Sequence, residues 1–279
     1  MDRALLASLA LFAAACASAT PPAPAVRLYA MECGRLNILD ADAFADDASF
    51  AGVARDMVDP CYLISHPDGD LLWDTGFPDS LNAQAEGLTS TSFNLTMPVR
   101  LIDQLAQLGL TPADIEFLSF SHGHFDHAGN AALFASATWI VDVDERGFMF
   151  REEARAGEDF AAYAPLETTQ TRLIEGDNDY DVFGDGSVTI IQAPGHTPGH
   201  TILRVNLANT GAVLLTGDLW HLAESRERRT VPRFNTNRVQ TLASMDKVEA
   251  LAAQTHARVI RQHVAEDFEA LPQFPDALN

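Results

Sequence analysis

Positive charge is scarce in this chain. Its 279 residues include 18 Lys or Arg against 39 Asp or Glu, a formal net charge of −21, and Lys247 is the only lysine. A surface so acidic repels phosphate backbones, which argues against a nucleic-acid partner and against anionic substrates held by diffuse charge. A small, neutral, partly apolar ligand fits better, and the same charge serves solubility in a salty medium. Cysteine is scarcer than positive charge, at three residues. Cys33 and Cys61 form no C-x-x-C pair, so they are assigned no redox or metal chemistry. Each sits in an apolar, strand-like run, and buried free thiols are expected rather than a disulfide.

Long apolar runs are also missing. Residues 4–15 are apolar and follow Arg3, but they are too few to cross a membrane as a mature helix. A charged start and a short apolar segment read as a secretory signal. Ala17-Ser18-Ala19 offers an A-x-A cleavage site. Ala14-Ala15-Cys16 is similar to a bacterial lipobox, with Ala13 at its usual leucine position, and would place a lipid anchor on Cys16. Residues 20–25, TPPAPA, form a stiff linker. The expectation is an exported, periplasmic protein, with a membrane-anchored lipoprotein as the alternative. Residues 1–25 are then signal and linker, and 26–279 a single domain whose apolar fraction of 47% supplies an ordinary core.

Along that domain, alternation marks residues 26–33 as a first strand, and 61–65 and 70–74 flank the hairpin turn His66-Pro67-Asp68-Gly69. Residues 98–108 carry apolar side chains at helical spacing and end before Gly109. Residues 115–120 form a short buried strand, 128–134 look helical, 138–143 read as strand and 145–155 as helix. The scheme repeats with strands at 188–191, 201–205 and 213–215, an amphipathic helix at 238–253 and a last strand at 258–261. Strands followed by helices, twice over, predict an α/β fold of two packed sheets with helices outside. Residues 37–60, 87–97 and 156–181 fit no element, and loops this long often cover or line a site.

The informative stretch is Ser121-His122-Gly123-His124-Phe125-Asp126-His127. Three histidines and an aspartate within six residues cannot all enter an apolar core without partners. Imidazole and carboxylate are the ligands preferred by zinc and related divalent ions. Four of them are too many for one tetrahedral ion with an open position, so the loop suggests two metals. Further candidates stand at later strand ends: His196 within Ala193-Pro194-Gly195-His196-Thr197-Pro198-Gly199-His200, Asp218 after the apolar run 213–217, and His263 after 259–262. A strand end lets a rigid scaffold present a ligand. His66 and His256 have no patterned neighbours and are read as surface or satisfied residues.

His122-x-His124-x-Asp126-His127, with His196, Asp218 and His263, resembles the metallo-β-lactamase superfamily over essentially the whole mature chain. The resemblance implies an αβ/βα sandwich, two mixed β-sheets with helices outside and a dinuclear site at the sandwich edge. It assigns His122, His124 and His196 to one metal, Asp126, His127 and His263 to the other, and Asp218 to both. Two divalent ions, zinc first among them, are the implied cofactors. Asp74, in Trp73-Asp74-Thr75-Gly76, matches a position that supports the ligand loop. The segments 28–36, LYAMECGRL, and 60–64, PCYLI, running on to Asp74-Thr75-Gly76, are similar to the N-acyl homoserine lactonases. A homodimer is common in that family. A bridging Asp218 separates the chain from true β-lactamases, and His124 from the flavin-linked di-iron oxidoreductases.

The resemblance implies a hydrolase that opens the ring of a neutral acyl lactone, that is, quorum quenching. Two metals sharing a water would supply hydroxide near neutral pH for attack on the lactone carbonyl, with Asp126 or Asp218 relaying a proton. Many of these lactonases carry a tyrosine three residues after the bridging aspartate, where this chain has His221. That histidine is assigned to catalysis, as a hydrogen-bond donor to the carbonyl or the leaving oxygen, with a role in the pocket wall as the alternative. Phe50, Val53, Met57, Phe93, Leu95 and Met97 are candidates for an acyl groove and equally for ordinary packing. The rivals are another ester, thioester, lactone or β-lactam hydrolase on the same site, and, from a different class, a metal-binding or redox protein without turnover.

Overall fold

A computed structural model describes residues 26–279, so the signal, the linker and Cys16 lie outside the described residues. The first sheet contains β1 (Arg27–Ile38), β2 (Arg55–His66), β3 (Gly69–Trp73), β4 (Leu88–Thr89), β5 (Phe93–Thr96), β6 (Phe117–Ser119), β7 (Thr138–Asp142) and β8 (Thr171–Ile174), in the spatial order β4-β5-β1-β2-β3-β6-β7-β8. The second contains β9 (Tyr180–Asp181), β10 (Val188–Gln192), β11 (Thr201–Leu207), β12 (Gly211–Leu215) and β13 (Arg258–Ile260), in the order β13-β12-β11-β10-β9. Both sheets are mixed. β3, β6, β7 and β8 run parallel beside the antiparallel β1–β2–β3 meander, and β13 lies parallel to β12.

Period-two alternation explains the layering. On β2 and β3, Tyr62, Ile64, Leu71 and Trp73 face the second sheet, where they meet Ile190, Leu203, Val205, Val213 and Leu215. Cys61, Leu63 and Leu72 face the other way, against Leu101 and Leu105 of α1 (Leu101–Gln107). The second sheet repeats this, with Ile191, Ile202 and Leu214 packed on Met245 and Val248. Each fully buried Leu or Ile contributes about 1.5–3 kcal/mol relative to exposure. The order is therefore helix, sheet, sheet, helix. Shorter helices follow in chain order: α2 (Val143–Met149), α3 (Glu152–Arg155) and α4 (Ser225–Arg228), then the long α5 (Arg238–Thr255) and α6 (Ala265–Glu269).

Several expectations need correction. The helix expected at 145–155 is broken after Met149, and 128–134 holds only the 3₁₀ turn Ala131–Phe134. There Gly129 passes so close to the neighbouring loop that a Cβ would lie 2.4 Å from the Gly76 carbonyl. The stretch 87–97 is the edge hairpin β4–β5, and 37–60 contains the start of β2. Cys33 and Cys61 are not free thiols but a disulfide, with Cα atoms 5.7 Å apart. Met31 pairs with Cys61 across β1 and β2, which makes Cys33 its diagonal neighbour on the same face, just where the register shifts.

Candidate metal centre

All the strands that precede the seven candidate ligands end at one edge of the sandwich. β6 leads into His122, His124, Asp126 and His127, β10 into His196, β12 into Asp218 and β13 into His263. Because Leu215 pairs with Ile260 in parallel register, Asp218 and His263 emerge side by side. The structure gathers the seven into two groups, His122, His124, His196 and Asp218 in one, Asp126, His127 and His263 in the other, with the ligand atoms of each group within 4.8 Å of one another. Asp218 touches both. Its Oδ2 lies 3.5 Å from His122 Nε2 and 3.3 Å from His196 Nε2, and its Oδ1 lies 3.3 Å from His127 Nε2 and 3.0 Å from His263 Nε2. Asp126 stands 3.9 Å from His127 Nε2 and 3.8 Å from His263 Nε2.

The rings are aimed from behind. Asp74 accepts from the Ser121 amide at 2.7 Å and lies 3.2 Å from His127 Nδ1. Ser121 Oγ sits 3.1 Å from Nδ1 of both His122 and His127. His263 Nδ1 donates to the Val58 carbonyl at 2.8 Å. With Nδ1 occupied, each Nε2 is left to face the centre. Asp74 adopts a left-handed backbone, φ +58°, and the next residue, Thr75, donates its amide and hydroxyl to the His127 carbonyl.

Two residues that the sequence reading passed over also support the site. His200 donates from Nδ1 to the Ala193 carbonyl (3.0 Å) and accepts the Asp218 amide at Nε2 (3.1 Å), fixing the bridging carboxylate. Burial, reinforced by His196, lowers its pKa to about 3, so it stays neutral as this arrangement requires. Glu145 of α2 accepts from the amides of Gly123 and Gly199 and from the Thr197 hydroxyl, and so ties the two ligand loops together. His200 stands in the same Gly- and Pro-rich string as His196, which was its only signal. By contrast, His66 bonds Asp185 and stacks on Phe183 away from the centre, and His256 is the left-handed C-cap of α5.

Burial opposes charge on every group here, and the neighbours decide the outcome. Burial and the adjacent imidazoles push His122 well below its usual range, and burial takes His124 down to about 3. His127 and His263 resist burial because Asp218 and Asp126 face them. The first is held well above the usual range and the second is raised to about 9. Asp218 is likewise held well below the usual carboxylate range, against burial, by His221, His127 and His263. Asp59, fully buried beside the centre without a hydrogen-bond partner, is raised by burial and by Asp126.

His221 is buried, with Nε2 3.0 Å from Asp218 Oδ2, and with Met57 and His263 it lines two neighbouring cavities. One, of about 320 Å³, is apolar and opens on Asp126 and Asp218. Met57, Phe93 and Leu95 of the candidate acyl residues line it, joined by Leu36, Ile38 and Phe125, whereas Phe50 and Met97 are buried in the adjoining core. Val53 is part of neither. The second cavity, of about 530 Å³, is polar and carries Arg55, Asp56, Glu224, Glu266 and Glu269.

His127 Nε2 and Asp218 Oδ1 are buried and make no hydrogen bond, although they lie 3.3 Å apart. Orphaned donor atoms converging in an all His/Asp set suit zinc or a related divalent ion, and the residues fit two such ions sharing Asp218. The metallo-beta-lactamase superfamily model matches residues 56–275. The N-acyl homoserine lactonase AttM of Azorhizobium caulinodans is 30% identical over 262 residues, covering 90% of this chain and 97% of its own. The N-acyl homoserine lactonase AiiA of Bacillus thuringiensis subsp. kurstaki is 29% identical over 257 residues, covering 90% and 98%. A solved N-acyl homoserine lactone hydrolase, with the product N-hexanoyl-L-homoserine bound at its catalytic metal centre, superposes with a TM-score of 0.76 at 26% identity. That match covers 91% of this chain and 99% of the other.

Proposed function

The chain belongs to the metallo-beta-lactamase superfamily, and on that footing we propose that this metal-dependent hydrolase opens the lactone ring of N-acyl homoserine lactones. One observation carries the reading: an apolar groove ends directly on a carboxylate whose two oxygens face two separate ligand groups. A neutral head beside the centre and an acyl tail in the groove match both halves of that site, and the strongly acidic surface suits an uncharged substrate.

His122, His124 and His196 with Asp218 Oδ2 would hold one ion, and Asp126, His127 and His263 with Asp218 Oδ1 the other, zinc being the first choice. When bound, such ions supply Lewis-acid polarisation of a carbonyl and a water activated near neutral pH. The chain's own residues do the rest. The groove orients the acyl chain so that the ring carbonyl lies over Asp218. His221, between groove and Asp218, donates a hydrogen bond to the carbonyl or the leaving oxygen. Water adds to the carbonyl carbon, the ring C–O bond breaks, one of the water's protons reaches the departing oxygen by way of Asp126 or Asp218, and the other is released to solvent, leaving a hydroxyl and a carboxylate.

Export to the periplasm is part of the same proposal, supported by the N-terminal signal pattern and by a disulfide that suits an oxidising compartment. The test follows acid release from N-acyl homoserine lactones by zinc-reconstituted protein. Turnover should vanish with a chelator and return with zinc, and His221→Phe should lower it with metal content unchanged. Two bound ions without lactone turnover would overturn the lactone assignment and move the substrate to esters or β-lactams.

A further inference from the structure

Most of the apolar groove is built on strands: Leu36 and Ile38 on β1, Met57 on β2, Leu95 on β5. The wall beside His221 is different. It is made by two segments almost two hundred residues apart, Phe44 in the 3₁₀ turn Ala41–Phe44 and Phe234 in the stretch between α4 and α5. Their rings meet edge to face at 5.5 Å, and each packs on the His221 ring, at 5.5 and 5.4 Å. Phe234 is 47% exposed, so its ring stands at the rim of the groove.

A dense set of contacts fixes this wall. The Arg233 amide donates to the Ala43 carbonyl (2.8 Å), and its guanidinium reaches Asp42 with two bonds, 2.6 and 2.9 Å, and the Ala45 carbonyl at 3.2 Å. Arg238 pairs with Asp46 nearby. On the other side, the Thr236 and Asn237 amides donate to the carbonyls of His196 and Gly195. Phe234 is therefore strung between the Asp42 turn and a metal-ligand loop, and bidentate Arg–carboxylate geometry holds it in register.

We propose that Phe44 and Phe234 determine substrate specificity by restricting the groove to short acyl chains, with the Asp42–Arg233 pair as the contact that positions them. The inference deepens the lactonase reading and rests on it. A cavity of about 320 Å³ stands at the small end of ligand sites, which run from about 300 to 1,000 Å³. A longer chain has no good route past His221 either, because the cavity beyond carries Arg55, Asp56, Glu224, Glu266 and Glu269 among its apolar residues, and an alkyl chain there would displace water from charged groups.

The experiment compares kcat/KM for butanoyl, hexanoyl and decanoyl homoserine lactones in the zinc-loaded protein and in Phe234→Ala, Phe44→Leu, Asp42→Asn and Asp42→Glu. Calorimetric binding of the matching ring-opened N-acyl homoserines runs alongside and reads the groove without turnover, so a failed lactonase assignment remains distinguishable from a failed wall. Wild type should favour the short chains. Each accommodated methylene is worth about fourfold in binding, so Phe234→Ala should raise the decanoyl-to-butanoyl ratio at least tenfold, with metal content unchanged. Asp42→Asn should move the ratio the same way through KM, and Asp42→Glu should restore it. A wild type that prefers decanoyl substrates, or a ratio unchanged in both phenylalanine variants, overturns the proposal.

Discussion

Replacing Glu145 by glutamine should loosen both metal-ligand loops at once. Its Oε1 accepts from the Gly123 amide at 2.8 Å, and its Oε2 from the Thr197 hydroxyl at 2.6 Å and the Gly199 amide at 3.1 Å. A glutamine can satisfy one side only, and turns its NH₂ donor toward the Gly123 N–H. A hydrogen bond to a charged group contributes about 1.5–3 kcal/mol, and an unpaired buried donor costs about 1–3 kcal/mol. Part of this is offset, because burial already holds the Glu145 carboxyl above its usual range and the amide removes that charge. The net expectation is a loss of about 2–4 kcal/mol in denaturant unfolding of the metal-free protein. Gly123 lies between His122 and His124, and Thr197 and Gly199 follow His196, so zinc affinity at those three histidines should fall about 10- to 100-fold in chelator competition. Thr197→Val, which removes one hydroxyl, should show a smaller loss in both measurements. Reduced stability with wild-type zinc affinity would refute the reasoning, since Glu145 would then merely pack the core.

The disulfide and the protonation of the centre give two further predictions. Cys33 and Cys61 are 28 residues apart, and the chain-entropy relation assigns about 3.6 kcal/mol to a loop of that length. Urea unfolding with and without reductant, checked against a Cys33→Ala/Cys61→Ala variant, should show a difference of that order, and coincident midpoints would contradict it. His127 and His263 are raised while His122 and His124 are lowered, so at neutral pH protons are held on His127 and His263 and not on His122 or His124. Those protons must leave before an ion binds, so affinity there should rise with pH towards about 9, where His263 titrates, while the lowered His122 and His124 contribute little pH dependence near neutrality. Calorimetry in buffers of different ionisation enthalpy reads this directly; zinc uptake at pH 7 without proton release would refute it.

The ligand set was legible because its residue types are expensive to bury without purpose and because each stands where an apolar run stops. The two-sheet scheme was legible because short apolar runs such as 213–215, bounded by Gly211 and Gly217, are too brief for a helix and read as buried strands. What stayed hidden depends on tertiary partners. Glu145 looks like any acid in the first turn of a helix, and only the approach of two distant loops gives it a role. The disulfide hinges on a register shift that no local pattern announces. β4 and β9, two residues each, are below any periodicity, and Phe44 and Phe234 meet only through the fold.

Each of the two ligand groups takes members from both sheets: His122 and His124 with His196 and Asp218, and Asp126 and His127 with His263. An ion seated in either would therefore act as a rivet through the seam of the sandwich, its binding free energy adding to the cohesion between the sheets. The two halves of the chain then share one fastening, placed at the edge where substrate enters. Loss of the ions would then be felt as weaker cohesion at that edge as well as lost chemistry.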